Sequence, residues 1–183
     1  MPKKTSVDVL KQQLRCYPEN WPTRLKAETN RPSDLFAWKR IVKMMKIYPI
    51  EIERVDVKTG FVGNYQWDGK KILAGRGDNL LHDFAHFQCA HPDRRFLHDF
   101  GLGAGPDTFE CPPRIVSDDE ADFEEACASI LGILWEITFK MPFEYTLSYH
   151  RWDLDRNADE QLQFLEKHKL VVDGEPTTAL RVS

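Results

Sequence analysis

The run from Leu80 to Ala90 constrains this chain more than any other segment, because its apolar residues and two histidines follow helical spacing. The apolar residues that would anchor such a helix in a core are Leu81, Phe84, Ala85 and Phe87. Histidines four positions apart lie about 40° apart around a helix and about 6 Å apart along it. The imidazoles of His82 and His86 can therefore both reach a single ion.

This histidine pair predicts a metal site in which His82 and His86 are two of the ligands. The spacing is that of the His-Glu-x-x-His zincin helix, although Asp83 stands here in place of the glutamate. Histidines at this spacing also occur by chance in helices that bind no metal. Three features favour metal binding: the acidic neighbour Asp83, a candidate edge strand before the helix, and acidic residues on a later helix. The expected cofactor is one divalent ion, zinc or iron.

The third ligand is expected on the long helix predicted from Asp118 to Lys140. Small residues in this helix would let it approach the histidine helix closely, and they are Ala126, Ala128 and Ser129. Glu125 directly precedes them and is the favoured ligand. Glu124 on the same helix and Asp99 in the preceding loop remain alternatives.

Periodicity and turn residues predict an α+β domain. Further helices are expected at 6–15, 35–47 and 158–169, and strands at 50–57, 61–67 and 70–74. We expect the strands to form a small antiparallel β meander that packs on the metal-binding helix and the long second helix. One domain spans 1–183, with an N-terminal arm at 1–33 and, at 158–183, a C-terminal helix and a hairpin that turns at Asp173-Gly174.

Composition argues against several classes of function. The chain has 183 residues, a formal charge of -4 and a pI near 5.9, so it lacks the positive charge typical of nucleic-acid-binding proteins. No run reaches the ~18 apolar residues of a membrane span, and no apolar run follows Met1 as in a secretory signal. We therefore expect a cytoplasmic protein whose cysteines are reduced, namely Cys16, Cys89, Cys111 and Cys127. No pattern indicates an oligomeric state.

The central block resembles the elongation factor P hydroxylase family. That family reads His-Glu-x-x-His-Trp, then Arg-Arg, then Asp-aromatic-Gly, and this chain has His82-Asp83-Phe84-Ala85-His86-Phe87, Arg94-Arg95 and Asp99-Phe100-Gly101. The resemblance implies a zincin-like fold and an iron-type site of two histidines and a carboxylate. The Glu125-Ala126 step is also similar to the ImmA/IrrE-type metallopeptidases, in which a glutamate before alanine is the third ligand. The two resemblances together cover about 60 residues around the site.

The expected function is that of a metal-dependent enzyme. Hydrolysis of a peptide-like or other polar bond is favoured slightly over hydroxylation of the elongation factor P hydroxylase type, and a protein or peptide is the expected substrate. In a hydrolase, Asp83 would accept a proton from the attacking water. Asp83 is one methylene shorter than the usual glutamate, which favours an alternative: a catalytically inert binding or inhibitor protein that keeps the zincin scaffold and a structural metal.

Overall fold

Helices and two small sheets alternate along the chain in the computed structural model, which describes residues 3–15, 35–55, 66–103, 113–149 and 158–183. The helices are α1 (Ser6–Arg15), α2 (Leu35–Met45), α3 (Gly77–Cys89), α4 (Asp118–Phe139), α5 (Glu144–Tyr149) and α6 (Ala158–Lys167). The strands are β1 (Glu51–Arg54), β2 (Gln66–Trp67), β3 (Lys71–Ala74), β4 (Val171–Val172) and β5 (Glu175–Pro176). This mixture confirms the predicted α+β class. Most of the predicted arm, most of the strand at 61–67 and part of the loop before α4 lie outside the described residues, as do Cys16 and Cys111.

The larger sheet has the order β1-β3-β2, so the predicted antiparallel meander is wrong. β1 runs parallel to β3, with Ile52 opposite Ile72, and β2 pairs antiparallel to β3 on its other edge. The reason lies in burial. β3 alternates partly exposed residues with the fully buried Ile72 and Ala74, so it gains most from a central position. β1 exposes most of its side chains to solvent and therefore suits an edge.

Helices α3 and α4 pack side by side and form the centre of the core. A Cβ atom added at Gly132 would lie 3.4 Å from the Cα atom of His82, so the absence of a side chain at Gly132 permits a close approach of the two helices here. Ser117 caps α4 by accepting a hydrogen bond from the backbone N–H of Glu120 at 3.2 Å. Although α4 has 22 residues, neither it nor any other described helix is long and apolar enough to cross a membrane. The close contact places α4 residues directly opposite the histidine pair.

Hydrogen bonds join the C-terminal segment to the end of α3. β4 and β5 form the predicted hairpin through Asp173-Gly174. After it, the side-chain amide of Gln88 donates hydrogen bonds to the carbonyls of Thr177 at 2.8 Å and Ala179 at 2.7 Å. Arg95 donates to the carbonyl of Arg181 at 2.6 Å. These contacts join the C-terminal segment to the last turn of α3 and to the residues that follow it.

Candidate metal centre

Three side chains from α3 and α4 converge on one point. His82 and His86 occupy successive turns of α3, and their Nε2 atoms are 3.2 Å apart. The Glu125 carboxylate on α4 reaches both rings: Oε1 lies 3.1 Å from His82 Nε2, and Oε2 lies 3.0 Å from His86 Nε2. Among the described residues these three form the one group of possible ligands whose donor atoms all lie within 4.8 Å of one another.

The spacing of these donor atoms fits a bound ion. Atoms that bind one ion at ~2.0–2.1 Å lie about 3.0 Å apart at the right angles of an octahedron and about 3.3 Å apart in a tetrahedron. The observed separations of 3.0, 3.1 and 3.2 Å fall within this range. Imidazole nitrogen and carboxylate oxygen are also the donors that zinc and ferrous iron accept. The site therefore suits either of the two expected metals.

Without an ion, the site behaves as a charged pair. Burial alone would lower the pKa of His86, but the negative charge of Glu125 and its hydrogen bond raise that pKa to about 9. Burial alone would raise the pKa of Glu125, but the charges of His86 and His82 and their hydrogen bonds hold it well below its ordinary value. Without an ion, the positive charge of protonated His86 thus offsets the negative charge of Glu125, as a bound cation would do.

The three side chains of the site differ in their exposure to solvent. The His86 side chain is 7% exposed, whereas that of Glu125 is 32% exposed. His82 lies between these values, at 16%. Part of the Glu125 side chain is therefore in contact with solvent, whereas His86 is buried in the core.

Asp83 lies in the buried part of the site. Its side chain is almost completely enclosed, and its Oδ2 atom has no hydrogen-bond partner among the residues that the structure describes. Burial raises the pKa of this carboxyl to about 8, and the nearby charges of Asp99 and Glu125 act in the same direction, while that of His86 opposes them. An isolated carboxyl group buried in this way is costly to ionise. The position is unfavourable for stability and is of the kind found at functional sites.

Glu124 is directed away from the histidines. It forms a buried ion pair with Arg94, whose other guanidinium nitrogen donates to the carbonyl of Phe100 at 2.7 Å. Consecutive helical residues point about 100° apart, so Glu124 and Glu125 cannot both face α3 at the same point. Of the two glutamates considered from the sequence, the structure brings Glu125 to the histidine pair.

A short turn covers the inner side of His86. Residues His98–Gly101 form this turn, and the ring of Phe100 stacks on the imidazole of His86 with centroids 5.5 Å apart and planes at 16°. Trp67 from β2 also stacks on Phe100, with centroids 5.6 Å apart and planes at 5°. The sequence did not indicate that Phe100 or Trp67 belongs to the site. The Asp99-Phe100-Gly101 step was the signal that could have indicated the first of them, whereas nothing in the sequence connects Trp67 with His86.

The arginine pair after α3 serves the fold. Arg94 takes part in the buried contacts above, and Arg95 donates to the backbone carbonyls of Phe87 at 3.0 Å and Ala90 at 3.1 Å. Both arginines are buried. Neither is available at the surface to bind a substrate carboxylate or phosphate.

Comparison with known proteins gives no match. No protein-family model, no curated protein and no solved structure is similar to this chain at a significant level. A fold alone does not determine a function. The function is therefore inferred from the chemistry of the side chains in the site.

Proposed function

We propose that this chain is a metal-dependent hydrolase of peptide-like or other polar bonds, with its ion held by His82, His86 and Glu125. The observation that carries the proposal is the convergence of His82, His86 and Glu125: one donor atom from each lies within 4.8 Å of the others, and the contacts between the side chains are 3.0–3.2 Å long. Zinc and iron are the candidate ions. Three protein ligands leave a coordination position for water or substrate, which is the arrangement of catalytic zinc sites, whereas structural sites use four ligands.

Asp83 is the proton acceptor in this proposal. A dication held by His82, His86 and Glu125 would supply Lewis-acid chemistry: it would polarise a substrate carbonyl and lower the pKa of water at the site. Asp83 occupies the helix position where zincins have glutamate, and the charges of His86 and Glu125 act on its carboxyl. A positive charge in the site favours the ionised form of a nearby carboxyl, so an ion would free Asp83 to accept a proton.

The ligand set also favours a second candidate function. Two histidines and one carboxylate with open positions are the set that non-haem iron oxygenases use. With iron in the site, a hydroxylation of a protein substrate is the corresponding activity, in line with the resemblance to elongation factor P hydroxylases. In that chemistry Asp83 need not accept a proton.

A third class, an inert scaffold that binds a partner, is favoured by the shorter side chain of Asp83.

Metal analysis of protein purified without an affinity tag tests the site itself. We expect close to one equivalent of zinc or iron in the wild type and none after combined His82→Ala and His86→Ala substitution. His91→Ala is the matched control, because His91 follows the same helix but pairs with Asp93 outside the site. Full metal retention in the double variant, or its loss in the His91 variant, would refute the ligand assignment.

Product mass distinguishes the candidate reactions. The zinc-loaded and iron-loaded proteins are incubated separately with a peptide mixture, the iron form with oxygen and a reductant, and the products are weighed by mass spectrometry. Cleavage with addition of one water supports the hydrolase, and addition of one oxygen atom without cleavage supports the oxygenase. Metal binding with no change in any peptide favours the inert scaffold.

A further inference from the structure

Two consecutive residues next to the site have an unusual backbone conformation. Asp99 and Phe100 have φ angles of 48° and 53°, in the left-handed region that residues other than glycine rarely adopt. Such strain persists only where the surrounding structure imposes it, and it is concentrated at functional sites. The turn at Asp99 is therefore held in place by contacts elsewhere.

Arg94 supplies one of these contacts. Its guanidinium group donates to the carbonyl of Phe100 and forms the buried ion pair with Glu124. Glu124 directly precedes the ligand Glu125 on α4, so Arg94 ties the strained turn to the helix that carries the third ligand. On the other side of the turn, the backbone N–H of Ile115 donates to the carbonyl of Gly101 at 3.0 Å.

Stacking fixes the turn against α3 as well. Because the ring of Phe100 stacks on both His86 and Trp67, the backbone of its neighbour Asp99 is fixed close to the site. The charges of His86 and Glu125 act on the Asp99 carboxyl, which is partly buried. Within the described ranges this carboxyl makes no hydrogen bond or ion pair, and it lies outside the group of three donors within 4.8 Å.

We propose that Asp99 is an outer carboxylate of the metal centre: it does not bind the ion directly, but its charge and its hydrogen-bond acceptance hold the ion and the water that shares the site. This inference rests on the proposed function, since it requires the three-ligand ion site. It explains why the chain keeps a strained backbone at Asp99 and, among the described residues, a carboxylate without a partner in the turn that packs on His86. Among the three proposed ligands only Glu125 is negatively charged, and Asp99 would add negative charge from outside the ligand set.

Asp99→Asn should lower the affinity for metal but raise the stability of the metal-free protein. Outer carboxylates of metal sites contribute about 10- to 100-fold to metal affinity, so the affinity for zinc should fall by that factor while one ion is still bound. Asparagine tolerates the left-handed conformation and carries no charge, so the melting temperature of the metal-free protein should rise. A residue with a purely structural role would lower the melting temperature when it is replaced.

Asp93→Asn is the matched control, because Asp93 lies on the same connection between α3 and the turn and its side chain is 88% exposed. Zinc affinity is measured by competition with a chelator, and the absorption bands of the cobalt-substituted protein report the direct ligands. We expect weakened zinc binding and unchanged cobalt bands in Asp99→Asn, and no change in Asp93→Asn. Asp99→Gly, which also removes the backbone strain, should show the same loss of affinity.

Three results would overturn the inference, and they can be told apart. Equal zinc affinity of the Asp99→Asn variant and the wild type would remove the outer role and leave the proposed ion site intact. Altered cobalt bands would make Asp99 a direct ligand. A wild-type protein that binds neither zinc nor iron would overturn both this inference and the proposed function.

Discussion

Replacing Glu125 and its neighbour Glu124 one at a time by glutamine should separate metal binding from folding. The two residues are adjacent on α4 and differ chemically only in their surroundings. Glu125 reaches the two imidazoles, whereas Glu124 is 4% exposed and pairs with the buried Arg94. Each substitution removes one negative charge and keeps the shape of the side chain, so each variant controls for the other.

The magnitude for Glu125→Gln follows from binding linkage. At a free metal concentration of 100 times the dissociation constant, a bound ion stabilises the wild type by ~2.7 kcal/mol, which corresponds to a rise in Tm of roughly 5–11 °C for a chain of this size. Loss of a direct ligand should weaken binding by at least the ~100-fold found for outer partners. At the same metal concentration the variant should gain only ~0.4 kcal/mol, or about 1 °C.

Glu124→Gln should lower the stability of the protein but leave metal binding unchanged. Removing one partner of a buried ion pair costs roughly 3–5 kcal/mol, and the low end applies because the glutamine oxygen still accepts a hydrogen bond from Arg94. A loss of about 3 kcal/mol lowers Tm by roughly 6–12 °C with or without metal. The rise in Tm caused by the metal should stay close to that of the wild type.

Thermal unfolding with and without zinc, followed by circular dichroism or calorimetry, measures both effects. The reasoning is refuted if Glu125→Gln retains the full metal-dependent rise, because the third ligand would then lie elsewhere. It is equally refuted if Glu124→Gln loses that rise but keeps the metal-free Tm of the wild type, since Glu124 would then be the ligand and not the partner of Arg94.

Three further substitutions have defined outcomes. Asp83→Asn should keep the ion but lower hydrolytic turnover by ~10²-fold or more; unchanged turnover would exclude the base role. Burial raises the pKa of Glu136 well above its ordinary value, so the native state loses stability as pH rises from the unfolded pKa near 4.5 towards the folded one. Glu136→Gln should therefore raise Tm at pH 7 and flatten its pH dependence, and an unchanged pH profile would contradict this. Gly101→Ala should destabilise the fold by about 1–2 kcal/mol, because its φ is 72° and the added Cβ would lie 2.7 Å from Ile115 Cγ1; an unchanged denaturant midpoint would show that the turn adapts.

The sequence by itself determined the local features of this protein. Helical spacing predicted the helix that places His82 and His86 on one face, and the run of acids and apolar residues predicted the long helix that became α4. The turn residues Asp173-Gly174 predicted the C-terminal hairpin. These predictions succeeded because i to i+4 geometry and turn chemistry depend on residues close together in the chain.

Tertiary structure decided every feature that depends on segments far apart in sequence. The spacing favoured Glu125 but left Glu124 and Asp99 open, and the packing of α4 on α3 brought Glu125 to the imidazoles. The parallel pairing of β1 with β3 was equally hidden, because strand order depends on which strand gains most from central burial. The strained turn at Asp99 exists because Arg94 and two stacked rings hold it, and no local pattern encodes contacts between a loop, a strand and two helices.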